Sequence, residues 1–137
     1  MSFEIFLKCC GETERLGLPR SALRSLFPVI EDESEADFWR VRYDSENQCA
    51  IGVSGVPSNG KMLNSLYVDR PCGDLRLWEG LLSILRMGSV VIFWPGGPLV
   101  VADGAVVADL PRDIIESLGE PKVVNSAEAL LRFVQES

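Results

Sequence analysis

The sequence predicts an α+β fold: a mostly antiparallel sheet of five to seven strands with three to four helices packed on it, in one domain spanning residues 1–137. Three observations carry that expectation. The elements run strand, helix, strand meander, helix, hairpin, helix, strand, helix, without the strict alternation of a parallel α/β sheet. Residues 74–87 form an amphipathic pattern, with Asp74 placed to cap a helix whose Leu75, Trp78, Leu81, Leu82 and Leu85 share one face. Ser89–Trp94 is then an unbroken run of branched and aromatic residues, the pattern of a strand covered on both faces.

In chain order, Phe3–Cys10 alternates as a first strand, with Phe3, Ile5 and Leu7 on one side and Phe6 on the other. Residues 11–17 are polar and are expected as a connection. Pro19 suits a first helical turn, followed by Ala22, Leu23, Leu26 and Phe27, and this helix ends before Pro28. Residues 31–37 place five carboxylates in seven positions, and their repulsion predicts an extended, solvated loop. In Phe38–Tyr43, Trp39, Val41 and Tyr43 alternate with Arg40 and Arg42 as in a half-buried strand. Residues 44–47 form a turn from which 48–53 returns antiparallel, and after a second turn at 55–60 a third strand spans 61–68.

Arg86 and Gly88 mark the end of the helix that starts at Asp74, Gly88 by taking the left-handed conformation. The Pro95-Gly96-Gly97-Pro98 turn sends the chain back as a partner strand, 99–102. Asp103-Gly104 reads as a turn, and 105–110 suits helix and strand equally. Pro111 opens a helix over Ile114, Ile115 and Leu118 that Gly119 closes. Val123-Val124 is a short strand, and Ser126 with Glu128 starts a last helix bearing Ala129, Leu130, Phe133 and Val134. The helices are expected on one face of the sheet.

Composition narrows the function. Thirteen basic against twenty acidic residues give a net charge of −7 and a pI of about 4.6, which repels nucleic acid and anionic lipid and favours a basic protein partner. The uncharged stretch 87–102 is too short to span a bilayer and holds a turn, so no membrane span is expected. The start lacks a basic leader with a long apolar core, which predicts a cytoplasmic location. Cys9, Cys10, Cys49 and Cys72 lack C-x-x-C spacing and read as reduced thiols, with a Cys49–Cys72 bridge as the alternative.

No histidine exists in the chain, which removes Ser-His and Cys-His nucleophilic mechanisms and the commonest transition-metal ligand. There is no Walker motif, and Gly96-Gly97 leads into a strand rather than a helix that would receive a phosphate. The acidic run lacks the glycine and closing glutamate of an EF-hand loop, so neither a metal nor a cofactor is expected. Trp39, Trp78 and Trp94 fit core positions better than a ligand cage.

Phe38-Trp39-Arg40-Val41-Arg42-Tyr43-Asp44, Arg70-Pro71-Cys72-Gly73-Asp74 with Leu77-Trp78, and Phe93-Trp94-Pro95-Gly96-Gly97 together resemble a group of small uncharacterised bacterial cytosolic proteins, over roughly residues 3–124. That group is similar in kind to the immunity proteins that neutralise secreted toxins. The resemblance implies a protein that binds another protein; it supplies no catalytic motif.

The expected function is therefore a non-enzymatic acidic binding protein, an immunity-type inhibitor masking a basic toxin surface. Its expected contact residues are Glu31, Asp32, Glu33, Glu35, Asp37, Asp44 and Glu46. A second reading is a small enzyme or ligand-binding domain using Asp69, Arg70 and Asp74 beside the Pro-Gly-Gly-Pro turn. A third is a homodimeric scaffold joined through a strand edge or the apolar hairpin.

Overall fold

The computed structural model describes residues 3–33, 37–57 and 59–136. Helix α3 (Leu75–Leu85) starts where Asp74 caps it: Asp74 Oδ1 accepts from the Arg76 amide at 2.9 Å, satisfying a first-turn donor. Trp78 lies on its buried face and donates from Nε1 to the Cys72 carbonyl at 3.0 Å, tying the entry loop to the helix.

The strands are β1 (Glu4–Cys9), β2 (Leu18–Pro19), β3 (Val29–Glu33), β4 (Phe38–Arg42), β5 (Gln48–Val56), β6 (Asn59–Asp69), β7 (Val90–Phe93), β8 (Val100–Val101) and β9 (Lys122–Val123). They form one sheet in the order β3-β4-β5-β6-β1-β7-β8-β9, with β2 paired to β6. Every pairing is antiparallel except β8 with β9. The first strand thus lies inside the sheet, because Ile5, Leu7 and Cys9 on one side need a covered position.

The remaining helices are α1 (Gly11–Leu16), α2 (Arg20–Arg24), α4 (Arg112–Leu118) and α5 (Ala127–Gln135), with a 3-10 helix at Gly104–Asp109. Leu23, Leu81, Leu130 and Val134 of α2, α3 and α5 pack against Ile5, Trp39, Ile51 and Val68 on one face of the sheet. On the other face a smaller cluster joins Val91, Leu99 and Val101 to Val106 and Leu110, with Ile114 and Ile115 of α4 against it. Helices therefore cover both faces at the β7–β8 end, not one face as expected, which is why Val90, Val91 and Ile92 are all buried. No helix is long and apolar enough to cross a membrane among the described residues.

The α+β class and the mostly antiparallel sheet stand as expected, with nine strands and six helices among the described residues in place of five to seven and three to four. The additions are short and depend on neighbours. Residues 11–16 form helix α1 instead of a polar connection, starting at Gly11 with φ 56°. Residues 104–109 settle as the 3-10 helix, capped by the Asp103 side chain on the Ala105 amide. Strand β2 exists through the pairing of Leu18 with Leu63. Strand β3 includes Glu31, Asp32 and Glu33, which were expected in a solvated loop; the edge of β4 offers the ladder, and two arginines offset the repulsion.

Helix α3 does not end on a left-handed Gly88. Its last turn stays right-handed through Arg86 (φ −91°, ψ −4°), and Gly88 is needed for closeness instead, since a Cβ there would lie 2.8 Å from Thr13 Oγ1. Gly80 inside α3 has a similar cause: a Cβ would meet the Phe27 ring at 2.7 Å. Alanine is ordinarily about 1 kcal/mol better than glycine within a helix, but forcing a methyl into a packed core costs about 1–3 kcal/mol. Gly80→Ala is therefore expected to lower stability, by about 1 kcal/mol, read from the urea midpoint at unchanged slope; a gain would show that Phe27 yields freely.

Candidate functional site

Strand β3 is the outermost strand on its side of the sheet, and the acidic residues singled out in the sequence lie along it and the neighbouring turn. They are unequal. Glu31 is held by Arg40 Nε at 3.1 Å and Asp32 by Arg24 Nε at 3.0 Å, while Asp37 stands 3.8 Å from Arg20. Such exposed pairs add about 0–1 kcal/mol each, but they offset local charge. Glu33 and Glu46 are exposed and have no ion pair among the described residues. Glu35 lies outside the described residues.

Asp44 organises the β4–β5 turn, accepting from the Glu46 amide at 2.8 Å, the Asn47 amide at 2.9 Å and Asn47 Nδ2 at 3.0 Å. The Asn47 side chain first, then these amides, hold its carboxyl below the ordinary range, so it is charged at neutral pH. The margin is a structured strip half balanced by its own arginines, with open charge at Glu33, Asp44 and Glu46.

Strand register reveals a second surface. Glu33 pairs with Phe38, Phe38 with Gly52, Gly52 with Tyr67, Tyr67 with Phe6, and Phe6 with Phe93, so one line of residues crosses six strands. This line lies on the face opposite α2, α3 and α5, since the alternate residues Trp39, Ile51, Val68 and Ile5 are buried on the helix side. Tyr67 is 41% exposed and its ring lies over Gly52, where a Cβ would come within 1.9 Å of the ring. Phe6 and Phe93 stack with centroids 5.5 Å apart.

Two residues along, the neighbouring line reads Glu31, Arg40, Ala50, Asp69, Glu4. Asp69 and Glu4 are direct cross-strand partners, and neither side chain has a hydrogen bond or ion pair among the described residues. Arg40 lies on the same line but is bonded to Glu31. The sequence marks Asp69 and the outward Phe6, but not the pairing of Asp69 with Glu4 or of Phe6 with Tyr67, because strand adjacency decides it. The usable signal was the out-of-core alternation at Glu4, Phe6, Tyr67 and Asp69.

Asp69, Arg70 and Asp74, the alternative grouping, have separate settings. Asp69 belongs to the open face, and Arg70 is exposed with φ 52°, in the left-handed region. Asp74 is occupied by α3 and by Arg76, whose Nη2 donates to Asp74 Oδ2 at 2.8 Å; these bonds lower its carboxyl pKa. Arg76 also sits 5.1 Å from the Tyr43 ring centroid, a cation–π contact. The Tyr43 hydroxyl is buried without a hydrogen-bond partner among the described residues, and burial pushes its pKa upward.

All four cysteines are free thiols. Burial pushes Cys9 and Cys49 up to about 12, so neither is a thiolate nucleophile at neutral pH. Among the described residues no group of three or more Cys, Asp or Glu could hold a metal ion. A cleft of about 720 Å³ opens beside Ser89, Asp103 and Asp109, but Ser89 is bonded to Asp109 and Asp103 caps the 3-10 helix. Compared with family models, curated proteins and solved structures, the chain matches none.

Directly opposed like charges destabilise a sheet, by about 0.2–1 kcal/mol. Asp69→Asn is therefore expected to raise stability by about 0.5 kcal/mol at neutral pH, measured by urea unfolding at unchanged slope. The thiols give a pH dependence. A folded pKa near 12 against 9.0 unfolded means the unfolded chain loses protons first, so stability is full below pH 9 and falls as pH rises towards 12. Denaturant midpoints across that range should show the fall, and Cys49→Ala should flatten it.

Proposed function

We propose that this protein is a non-enzymatic binding protein for a basic protein partner, acting as an immunity protein does when it covers a toxin's cationic surface. One observation supports the reading: the sheet face opposite α2, α3 and α5 bears an aromatic line of Phe38, Tyr67 and Phe6 beside Glu4 and Asp69, two carboxylates with no ion pair among the described residues. Proteins that discriminate partners commonly combine such aromatic anchors with a charged rim.

The net charge of −7 supports it by accelerating encounter with a basic surface and opposing contact with nucleic acid. Four unbridged thiols suit a reducing compartment, and a cytoplasmic location belongs to this reading. A strand-paired homodimer is less favoured, because β3 carries a bulge between Val29 and Glu31 and three exposed carboxylates, devices that blunt an edge.

The test uses the tagged protein to capture a partner, which is then purified and its association followed at low and high salt. A basic partner whose association slows with salt is the expected result. Glu33→Gln with Glu46→Gln should slow association several-fold, more than Glu31→Gln, whose charge Arg40 already offsets. An association rate indifferent to salt and to both variants would overturn the reading.

A further inference from the structure

We infer that the open sheet face seats an arginine side chain of the partner, its guanidinium held by Glu4 and Asp69 and its plane and stem lying against Tyr67 and Phe6. This deepens the basic-partner reading and rests on it. The geometry is set by register: Glu4 faces Asp69, and two residues along each strand Phe6 faces Tyr67. Opposed Cβ atoms are about 5 Å apart, and residues of the same face are about 6.8 Å apart along a strand. One long side chain therefore reaches both pairs.

The chemistry selects a guanidinium. Two adjacent carboxylates present several acceptors to a planar fork of donors, and an aromatic face next to them takes the flat cation by stacking. An ammonium satisfies the charge but neither the fork nor the stack. The charge complementarity is specific to this spot, since Glu31 on the same line is already bonded to Arg40 while Glu4 and Asp69 are left facing each other. Gly52 contributes by leaving room for the Tyr67 ring to lie down on the sheet.

The test titrates the full-length protein with the peptide acetyl-Val-Arg-Val-Arg-Val amide and its lysine counterpart, by calorimetry and by amide NMR shifts. The arginine peptide should bind several-fold tighter than the lysine peptide, with shifts centred on residues 4–8 and 65–69. Glu4→Gln with Asp69→Asn should weaken binding about tenfold while leaving the protein folded and more stable. Glu128→Gln with Glu136→Gln, the same charge change on helix α5 and its C-cap across the sheet, should weaken it less than twofold. Gly52→Ala, which must lift Tyr67, should weaken it without removing any charge.

Equal losses in the two charge variants would mean diffuse attraction and overturn the seat, as would equal affinity for the two peptides. So would sedimentation showing a dimer that Tyr67→Ala dissociates, because a second copy would then cover the face. If a basic protein partner binds and the Glu4/Asp69 variant leaves its affinity unchanged, the seat fails and the basic-partner reading stands. If no basic protein associates at low salt, that reading fails first.

Discussion

The structure depends on the antiparallel pairing of β1 with both β6 and β7. That one strand joins the β3–β6 meander to the β7–β9 end, so the sheet is continuous only because the first strand inserts between elements made much later in the chain. Its inward residues Ile5, Leu7 and Cys9 anchor the main core, while Glu4, Phe6 and Lys8 project the other way. Contacts this distant in sequence cost loop entropy before they reward it. The apolar density on the helix side, from Trp39 through Ile92, offsets that cost.

The two faces of the sheet solve different problems. The helix side is packed by α2, α3 and α5, and glycines at close approaches, such as Gly80 under Phe27, let it close tightly. On the other side the 3-10 helix and α4 sit on β7 and β8, and Cys10, at the start of α1, joins the same cluster. From β1 to β4 this side carries Phe6, Tyr67 and Phe38 on one line and Glu4, Asp69, Arg40 and Glu31 on the next, with Tyr67 the most exposed of the aromatic rings. Glu4 lies opposite Asp69 beside the exposed Tyr67 ring, and this juxtaposition is what the proposed arginine seat uses.

The acidic margin illustrates how tertiary contacts redistribute charge. Five carboxylates in seven residues would repel one another in isolation, yet Arg24 from α2 and Arg40 from the neighbouring strand hold Asp32 and Glu31 and allow 31–33 to form a strand. The field that remains arises from Glu33, Asp44 and Glu46 and from the open face, not evenly from the run. The thiols follow the same logic: burial, more than neighbouring charge, keeps Cys9 and Cys49 protonated and makes them core-filling groups.

By itself the sequence determined the elements whose signals are local. Asp74 and the apolar stripe define α3, the unbroken run defines β7, Pro-Gly-Gly-Pro defines its turn, and Gly119, with φ 90°, closes α4. Missing histidine and the net charge constrained the chemistry before any fold was known. Only the tertiary structure decided strand order, the added strands β2 and β3, the short helices at 11–16 and 104–109, and the coverage of both faces at one end. The physical reason is that a two-residue strand or a six-residue helix has too little local free energy to form alone and takes its shape from neighbours. The meeting of Glu4 with Asp69 and of Phe6 with Tyr67 is decided the same way, because period-two alternation tells which residues share a face but not which strand lies alongside.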